Sequence, residues 1–434
     1  MAQVTKSVTI EGINSIPKGW AIKRIKNLAL DMQRGTQPQY ADGTDFFITN
    51  QSCLSTYCFR SEKRKECEPI FGKKGRYRSG DILIASTGEG VLGKCVLADH
   101  DGFADSHVSI LRLKKLHSAA FLNYLLSISY ELINSRFAKG STKQTELQRD
   151  QFLAHFVAWP TYHQQCQIGD WLELQTNRID RRREMLAKKR ELLQDLKRSV
   201  TEEATFRGIA KGLEMRDSKI EWMGQVPSHW TIVRIGSLFR EAADAGVDGL
   251  PMLSVSIHTG ISDKELDDDE MERKVSRSED RTIYKRVKPG DLVYNQMRAW
   301  QGAFGAAKIE GLVSPAYVVA RPGRAVVPRF VEYLLRAPAA MEEIRRRSRG
   351  ITDFRLRLYW NEFKNIRIAL PPLTEQGQIA AFLDRKLSQI NRQIDLIGQL
   401  DDLLTQQRKA LIFEAVTGRI DLSTYDPPAK APKA

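Results

Sequence analysis

Val226-Pro227-Ser228-His229-Trp230, followed by Val233-Arg234-Ile235, rewrites a pattern met near the start of the chain as Ile16-Pro17-Lys18-Gly19-Trp20 and Lys23-Arg24-Ile25. The Pro-to-Trp spacing is identical, and Pro227 lies 210 residues after Pro17. Further matches keep nearly the same offset. Ser79-Gly80-Asp81-Ile82-Leu83 returns as Pro289-Gly290-Asp291-Leu292-Val293, a turn opening an apolar, strand-like run. Phe121-Leu122-Asn123-Tyr124-Leu125-Leu126 returns as Phe330-Val331-Glu332-Tyr333-Leu334-Leu335, an amphipathic helix signal in both copies. Pro160 and Pro372 close the two halves. Self-similarity at a fixed offset decides architecture before any local motif does.

After each closing proline, near His163 and Thr374, the pattern changes to one long helix. In the second copy, Leu383, Leu387, Ile390, Ile394, Ile397, Leu404 and Leu411 fall three, four or seven apart, the spacing of a coiled-coil seam. In the first, Ile168, Leu172, Ile179, Leu186, Leu193, Leu196 and Val200 hold the same phase, interrupted by Gln175, Arg182 and Lys189. One such helix alone could bury its stripe against its own domain. Two in phase, one per repeat, are best satisfied by each other. An antiparallel pair of about 40 residues would be roughly 60 Å long at 1.5 Å per residue.

The sequence therefore predicts an α+β protein: two globular α/β domains separated by two long antiparallel coiled-coil helices, related by a pseudo-two-fold internal repeat. The expected boundaries are a first domain at 1–160, a helix at 161–210, a linker at 211–227, a second domain at 228–372, a helix at 373–420 and a disordered tail at 421–434.

Composition narrows the partners. Sixty-seven Lys and Arg against 53 Asp and Glu give a net charge of +14, which favours a polyanion. No apolar run approaches the roughly 18 to 20 residues of a spanning helix, so no membrane partner is expected. Met1-Ala2-Gln3-Val4-Thr5-Lys6 also lacks a signal-peptide core, so a cytoplasmic location is expected. The five cysteines, Cys53, Cys58, Cys67, Cys95 and Cys166, are odd in number and confined to the first half, which argues against a disulfide framework. Cys53, Cys58 and Cys67 include no CxxC pair and no nearby His, so no metal is expected.

Motifs for catalysis fail one by one. Gly88-Glu89-Gly90-Val91-Leu92-Gly93-Lys94-Cys95 fits a phosphate-cradling loop through seven places, but Cys95 lacks the hydroxyl that would hold Mg²⁺ and a strand-like run follows instead of a helix. Asp426-Pro427-Pro428 is similar to the loop that holds the target amine in amino-methyltransferases, yet Ala429 stands where an aromatic should stack, within a Pro, Ala and Lys tail. The acidic run Asp263 to Glu272 reads as a solvated loop. The seven His and scattered Ser form no nucleophile and base arrangement. Basic and aromatic clusters remain. Lys73, Lys74, Arg76 and Arg78 crowd one turn, Lys143 lies in a polar loop, and Arg345, Arg346, Arg347, Arg349, Arg355 and Arg357 surround Gly350. These could neutralise phosphates, while Gln296, Arg298, Trp300 and Gln301 could reach base edges or stack. The alternative for each is a solvated basic face.

Three stretches resemble a known family across nearly the whole chain: the Type I restriction-modification specificity subunit (HsdS). Met215-Arg216-Asp217-Ser218-Lys219-Ile220-Glu221-Trp222-Met223-Gly224-Gln225-Val226-Pro227-Ser228-His229-Trp230 resembles that family's lead-in to a target recognition domain. Pro371-Pro372-Leu373-Thr374-Glu375-Gln376 resembles the start of its second conserved helix, and Arg408-Lys409-Ala410-Leu411-Ile412-Phe413-Glu414-Ala415-Val416-Thr417-Gly418-Arg419-Ile420 its end. The first copy departs: Pro160-Thr161-Tyr162-His163-Gln164-Gln165 lacks the Glu, and Glu11 to Ser15 echoes the joint only loosely. The resemblance implies a non-catalytic subunit whose two domains each read half of a split double-stranded DNA target while the helices fix the gap. It further implies two docked modification (methyltransferase) subunits using S-adenosylmethionine, and restriction subunits using ATP and Mg²⁺, with no cofactor on this chain. The rival readings are the recognition portion of a fused restriction-methyltransferase, a coiled-coil scaffold with peptide-binding domains, and a transcription regulator, for which no helix-turn-helix is visible.

Overall fold

A computed structural model of the chain describes residues 16–55, 58–88, 90–140, 145–257, 260–262, 281–350, 356–422 and 424–425. It forms two compact units, Met1–Leu186 with Gln399–Ala434 and Ala187–Gly398. Each long helix, Tyr162–Arg207 and Leu373–Val416, gives its first part to one unit and its last part to the other.

In the first unit a four-stranded antiparallel sheet runs in the order Ala29–Arg34, Val108–Leu113, Ile82–Ala85, Cys95–Leu97. Ile82, Leu83, Ile84 and Ala85 are all buried because the strand is covered on both faces. Ile82 and Ile84 pack with Phe121 and Leu125 of the helix Ala119–Ile128, whereas Leu83 and Ala85 join Tyr77 and Ala104 in a second cluster. That explains a continuous apolar run where a half-exposed strand would alternate. Phe121 meets Trp159 edge-on at 5.2 Å, a pairing worth about 1 kcal/mol beyond its buried area.

The second unit repeats this sheet as Phe239–Ala242, Tyr317–Pro322, Leu292–Asn295, Phe304–Ala306, antiparallel throughout. Register repeats as well: Leu83 faces Ile110 and Val96, and Val293 faces Val319 and Gly305. A short pair closes each domain, Ala21–Arg24 on Phe156–Trp159 and Thr231–Arg234 on Arg367–Leu370.

Each helix start is tied to its own domain by one glutamine. Gln165 accepts from the Ser118 N–H at 2.9 Å and donates to the Pro160 carbonyl at 2.8 Å; Gln376 accepts from the Val327 N–H at 2.8 Å and donates to the Pro371 carbonyl at 2.9 Å. Each helix also ends on a glycine with positive φ, Gly208 at +79° and Gly418 at +71°, a conformation that favours glycine at a helix terminus. A Cβ on Gly418 would sit 2.6 Å from Pro17 and 3.1 Å from Trp20, and one on Gly208 would sit 3.5 Å from Trp230. The repeated Pro-x-x-Trp is thus where a helix end docks on a domain.

The seam residues Ile168, Leu172, Ile179, Leu193, Leu383, Leu387, Ile390, Ile397 and Leu404 are buried, and Leu186 and Ile394 are half-buried. The pairing is antiparallel within each unit: Asp180 meets Arg408 and Arg183 meets Asp401 in the first, Lys197 meets Asn391 in the second. Two expectations are corrected. Leu196 is exposed, because continuing its three-four spacing drifts away from the partner at 3.6 residues per turn. The polar seam residues are Thr176, Arg183 and Lys197 instead of Gln175, Arg182 and Lys189. Ile168 and Leu172 also belong to their domain's core, beside Ile412, Ala415 and Val416.

Two boundaries differ from expectation. The 211–227 linker contains an antiparallel hairpin, Met215–Asp217 on Gln225–Pro227, with Ile220, Met223 and Val226 buried and Trp222 edge-on to Phe206 at 5.6 Å. The tail from 421 is packed at its start: Leu422 lies against the first core, and the Tyr425 carbonyl accepts from Gln167 at 3.1 Å. Residues 426–434, with the Asp426-Pro427-Pro428 motif, and the acidic run from Asp263 lie outside the described residues. Among the described residues no helix is long and apolar enough to cross a membrane.

Candidate nucleic-acid interface

In the second unit the residues singled out from sequence come together beyond the end of strand Leu292–Asn295. The Asn295 side chain accepts from the Met297 N–H at 3.0 Å, and a 3-10 turn, Ala299–Gln301, follows. Trp300 is half-buried, its indole N–H donating to the Met297 carbonyl at 3.1 Å, and Gln301 is exposed. The Gln296 carbonyl accepts from the Leu358 N–H at 2.9 Å, which brings this turn to the segment carrying Arg357. Arg349 and Arg357 exchange both backbone hydrogen bonds at 2.9 Å, forming the neck of a hairpin, and Arg355 lies outside the described residues.

The arginines here divide by role. Arg345, Arg346 and Arg347 occupy the last turn of helix Pro338–Arg347, where positive charge complements the helix dipole. Arg347 pairs with Glu343 at 2.5 Å, and Arg346 lies 3.7 Å from Glu221 and 3.8 Å from Glu342. Arg349 pairs with Glu362. Arg298, Arg345 and Arg357 are half-buried, exposed and exposed.

The first unit builds the matching place from residues that carry no conspicuous local sequence signal. Strand Ile82–Ala85 runs into Ser86 and Thr87; the Leu147 N–H donates to the Ser86 carbonyl at 2.8 Å, and Thr87 bridges Glu146. Ala138–Lys139 pairs with Glu146–Leu147, the counterpart of the Arg349 and Arg357 neck. Thr87 donates to Gln51 Oε1 at 2.9 Å and lies 2.6 Å from His107 Nδ1, while Arg34 donates to Glu146 at 3.3 Å. Buried Asp105 accepts from the His107 N–H at 2.9 Å, and burial pushes its carboxyl up. Lys143 lies outside the described residues. Subtracting 210 from Gln296 and Arg349 leads to Ser86 and Lys139, so the repeat itself carried the signal.

Lys73, Lys74, Arg76 and Arg78 do not join this place. They are exposed beside the edge strand Arg76–Tyr77 of a separate sheet, ordered Lys65–Glu66, Phe47–Thr49, Gly102–Ala104, Arg76–Tyr77. Arg76 lies 3.8 Å from Asp101. The same sheet shows Arg64 over the Phe47 ring at 5.3 Å and Lys65 over the Tyr40 ring at 5.1 Å, with both rings roughly half exposed.

Cys53, Cys67 and Cys95 are buried, Cys58 is exposed and Cys166 intermediate. Burial alone pushes the Cys95 thiol up to about 12, which makes it a poor nucleophile. Cys95 opens a strand, so the glycine-rich run does not lead into a helix as a nucleotide loop does. Among the described residues no group of three or more His, Cys, Asp or Glu is placed to hold a metal ion. What both units offer is donors, guanidinium groups and partly exposed rings around a strand-end turn and a hairpin, groups suited to phosphates and base edges.

No family model matches the chain. Solved structures do. A chain from the complex assembly and conformational transition of the type I R-M system superposes with a TM-score of 0.66 at 18% identity, covering 94% of this chain and 100% of that one. The HsdS subunit from Thermoanaerobacter tengcongensis superposes with a TM-score of 0.51 at 18% identity, covering 95% of this chain and 100% of that one. At this identity the likeness is one of fold: the chain has the fold of a Type I restriction-modification specificity subunit, with mixed helices and strands and the long helix pair.

Proposed function

We propose that this chain is the DNA-reading subunit of a Type I restriction-modification complex. The observation that carries the reading is the duplication: two like-folded domains gather different side chains on and around the same strand-end turn and hairpin. Arg298, Trp300, Gln301, Arg349 and Arg357 stand in one, and Arg34, Gln51, Thr87, His107 and Lys139 in the other. Two similar frames with different chemistry suit a double-stranded target of two unlike halves, because base edges are told apart by the donors and acceptors presented to them. The net charge of +14 supports binding to the phosphate backbone.

The helix pair supports the partner half of the proposal. Two modification (methyltransferase) subunits dock on it, bring S-adenosylmethionine and methylate adenine, and restriction subunits bring ATP and Mg²⁺. This chain binds no cofactor and performs no chemistry of its own in that assembly.

The test is co-expression with a neighbouring methyltransferase gene product, followed by sequencing of methylated adenines. A split motif with a constant gap, lost when this chain is omitted, is the expected result. Failure of the methyltransferase to co-purify, with no chain-dependent methylation, would favour the coiled-coil scaffold.

A further inference from the structure

The two units differ sharply at one matched place, where the short helix of each domain faces a long helix. In the second unit Arg329 donates to Asp384 Oδ1 at 3.0 and 2.7 Å, to Glu332 at 2.7 Å and to the Tyr333 hydroxyl at 2.7 Å. The Tyr333 hydroxyl in turn donates to Asp384 at 2.5 Å. Arg336 donates to the same Glu332 at 3.2 Å and to the Ile257 carbonyl at 2.9 Å. Arg329 thus fills the space between the helices, and Arg336 ties the short helix to the Ile257 turn.

The matched glutamine anchors, Gln165 on Ser118 and Gln376 on Val327, fix the register of the comparison. Arg329 corresponds to Ala120, Arg336 to Ser127, Glu332 to Asn123, Tyr333 to Tyr124 and Asp384 to Glu173. The acceptors persist while both guanidinium groups are gone. A cleft of about 610 Å³ stands in their place. Ala120, Asn123, Tyr124 and Glu173 line it, with the Asp180–Arg408 pair beside them and Arg64 and the Asp99–His100 pair also on its walls. The Tyr124 hydroxyl is hydrogen-bonded to Thr176 at 3.2 Å, whereas Tyr333 donates to Asp384. Glu173 is exposed, with no ion pair among the described residues, and the buried Asn123 Oδ1 has no hydrogen-bond partner among them.

We propose that this cleft of the first unit takes a guanidinium group from an arginine of a partner polypeptide, where the second unit supplies its own Arg329. Charge and shape both follow from the repeat: a carboxylate on the long helix and a phenol on the short one already hold a planar, five-donor group in the other copy. The cleft volume exceeds what one guanidinium fills, leaving room for the chain that carries it. This inference rests on the repeat and not on DNA reading.

The experiment is calorimetric titration of the full chain with N-acetyl-arginine-N′-methylamide as probe. The citrulline and lysine analogues, free arginine and DNA retention run in parallel. The arginine probe should bind about tenfold tighter than its citrulline analogue, the ratio of one charge-assisted contact. Glu173→Gln should weaken it by a similar factor, and Ala120→Arg should abolish it by filling the cleft from within. Ser127→Arg serves if Ala120→Arg does not fold. Absence of binding, equal binding of the citrulline analogue, or indifference to a folded Ala120→Arg chain would overturn the guanidinium site. Free arginine binding tighter than the blocked probe would overturn the polypeptide source. Because DNA retention is read separately, its loss would count against the proposed function and leave this inference standing.

Discussion

Arg112 holds Asp81 through two donors on one edge of its guanidinium, Nε to Oδ1 at 2.8 Å and Nη2 to Oδ2 at 2.5 Å, while Oδ2 also accepts from the Arg78 N–H at 2.8 Å. The second unit repeats the device with Arg321, Asp291 and the Lys288 N–H at 3.0, 3.0 and 2.9 Å, and adds Asp244 at 2.8 Å. The Asp81 and Asp291 side chains are 4% and 2% exposed, so each carboxylate is shielded from solvent. Asp291→Ala should cost about 3 kcal/mol, because it strands a partly buried guanidinium. Urea unfolding checks this; a loss under about 1 kcal/mol would place the pair among weak surface ion pairs.

The helix seam offers a sharper contrast. Arg408 donates to both oxygens of Asp180 at 3.1 and 3.2 Å, whereas Lys197 at the matched place donates to the neutral Asn391 at 3.0 Å and has no ion pair among the described residues. Burial, then the nearby Arg336, lowers the Lys197 pKa, which marks its charge as unfavourable there. Arg408→Met should destabilise by about 2 kcal/mol, while Lys197→Met should be neutral or raise Tm. Thermal melts of the two variants side by side decide it, and equal losses would refute the distinction.

Acid should weaken the first unit through His155. Its carbonyl holds the Ile25 N–H at 3.0 Å, its ring meets Phe137 edge-on at 5.2 Å, and burial, then Arg136, lowers its pKa from 6.5. A base whose folded pKa is depressed binds more protons when unfolded. Stability is therefore full above pH 6.5 and falls as pH drops through that value. Tm measured from pH 8 to pH 5 should decline more steeply in the parent than in His155→Gln.

If the DNA reading holds, Gln301→Ala and Arg357→Ala should weaken duplex binding differently. Arg357→Ala, at a hairpin neck, should reduce the slope of log affinity against log salt by about 0.9 if it meets one phosphate. Gln301→Ala should leave that slope unchanged and relax one position of the target, since base contacts carry sequence and phosphate contacts do not. Filter binding across a salt series separates them; identical slopes for both variants and parent would count against Arg357.

Duplication made most of this fold legible. Copies of Pro-x-x-Trp, Gly-Asp and Phe-x-x-Tyr-Leu-Leu fixed the number of domains, and the apolar spacing of Leu383 to Leu404 announced a helix long before its partner was known. The first domain's candidate surface was less legible because local charge is a poor guide: Lys73 and Arg76 are conspicuous in sequence yet belong to another sheet. Thr87 and His107 look ordinary until strand ends bring them within 2.6 Å. The 211–227 hairpin is not legible in the sequence because its buried residues, Ile220, Met223 and Val226, are three apart in a polar stretch and match neither helix nor strand period.

The docking of Ile412, Ala415 and Val416 into the first core, with Gly418 against Pro17 and Trp20, sets an order of birth on the ribosome. The domain encoded second has every part of its unit once residue 398 has emerged, whereas the domain encoded first waits for the final helix to return to it. Synthesis and completion therefore run in opposite directions. A ribosome that stalls in the last helix releases a chain whose later domain is whole and whose earlier one is unfinished, exposing apolar surface that quality control can detect.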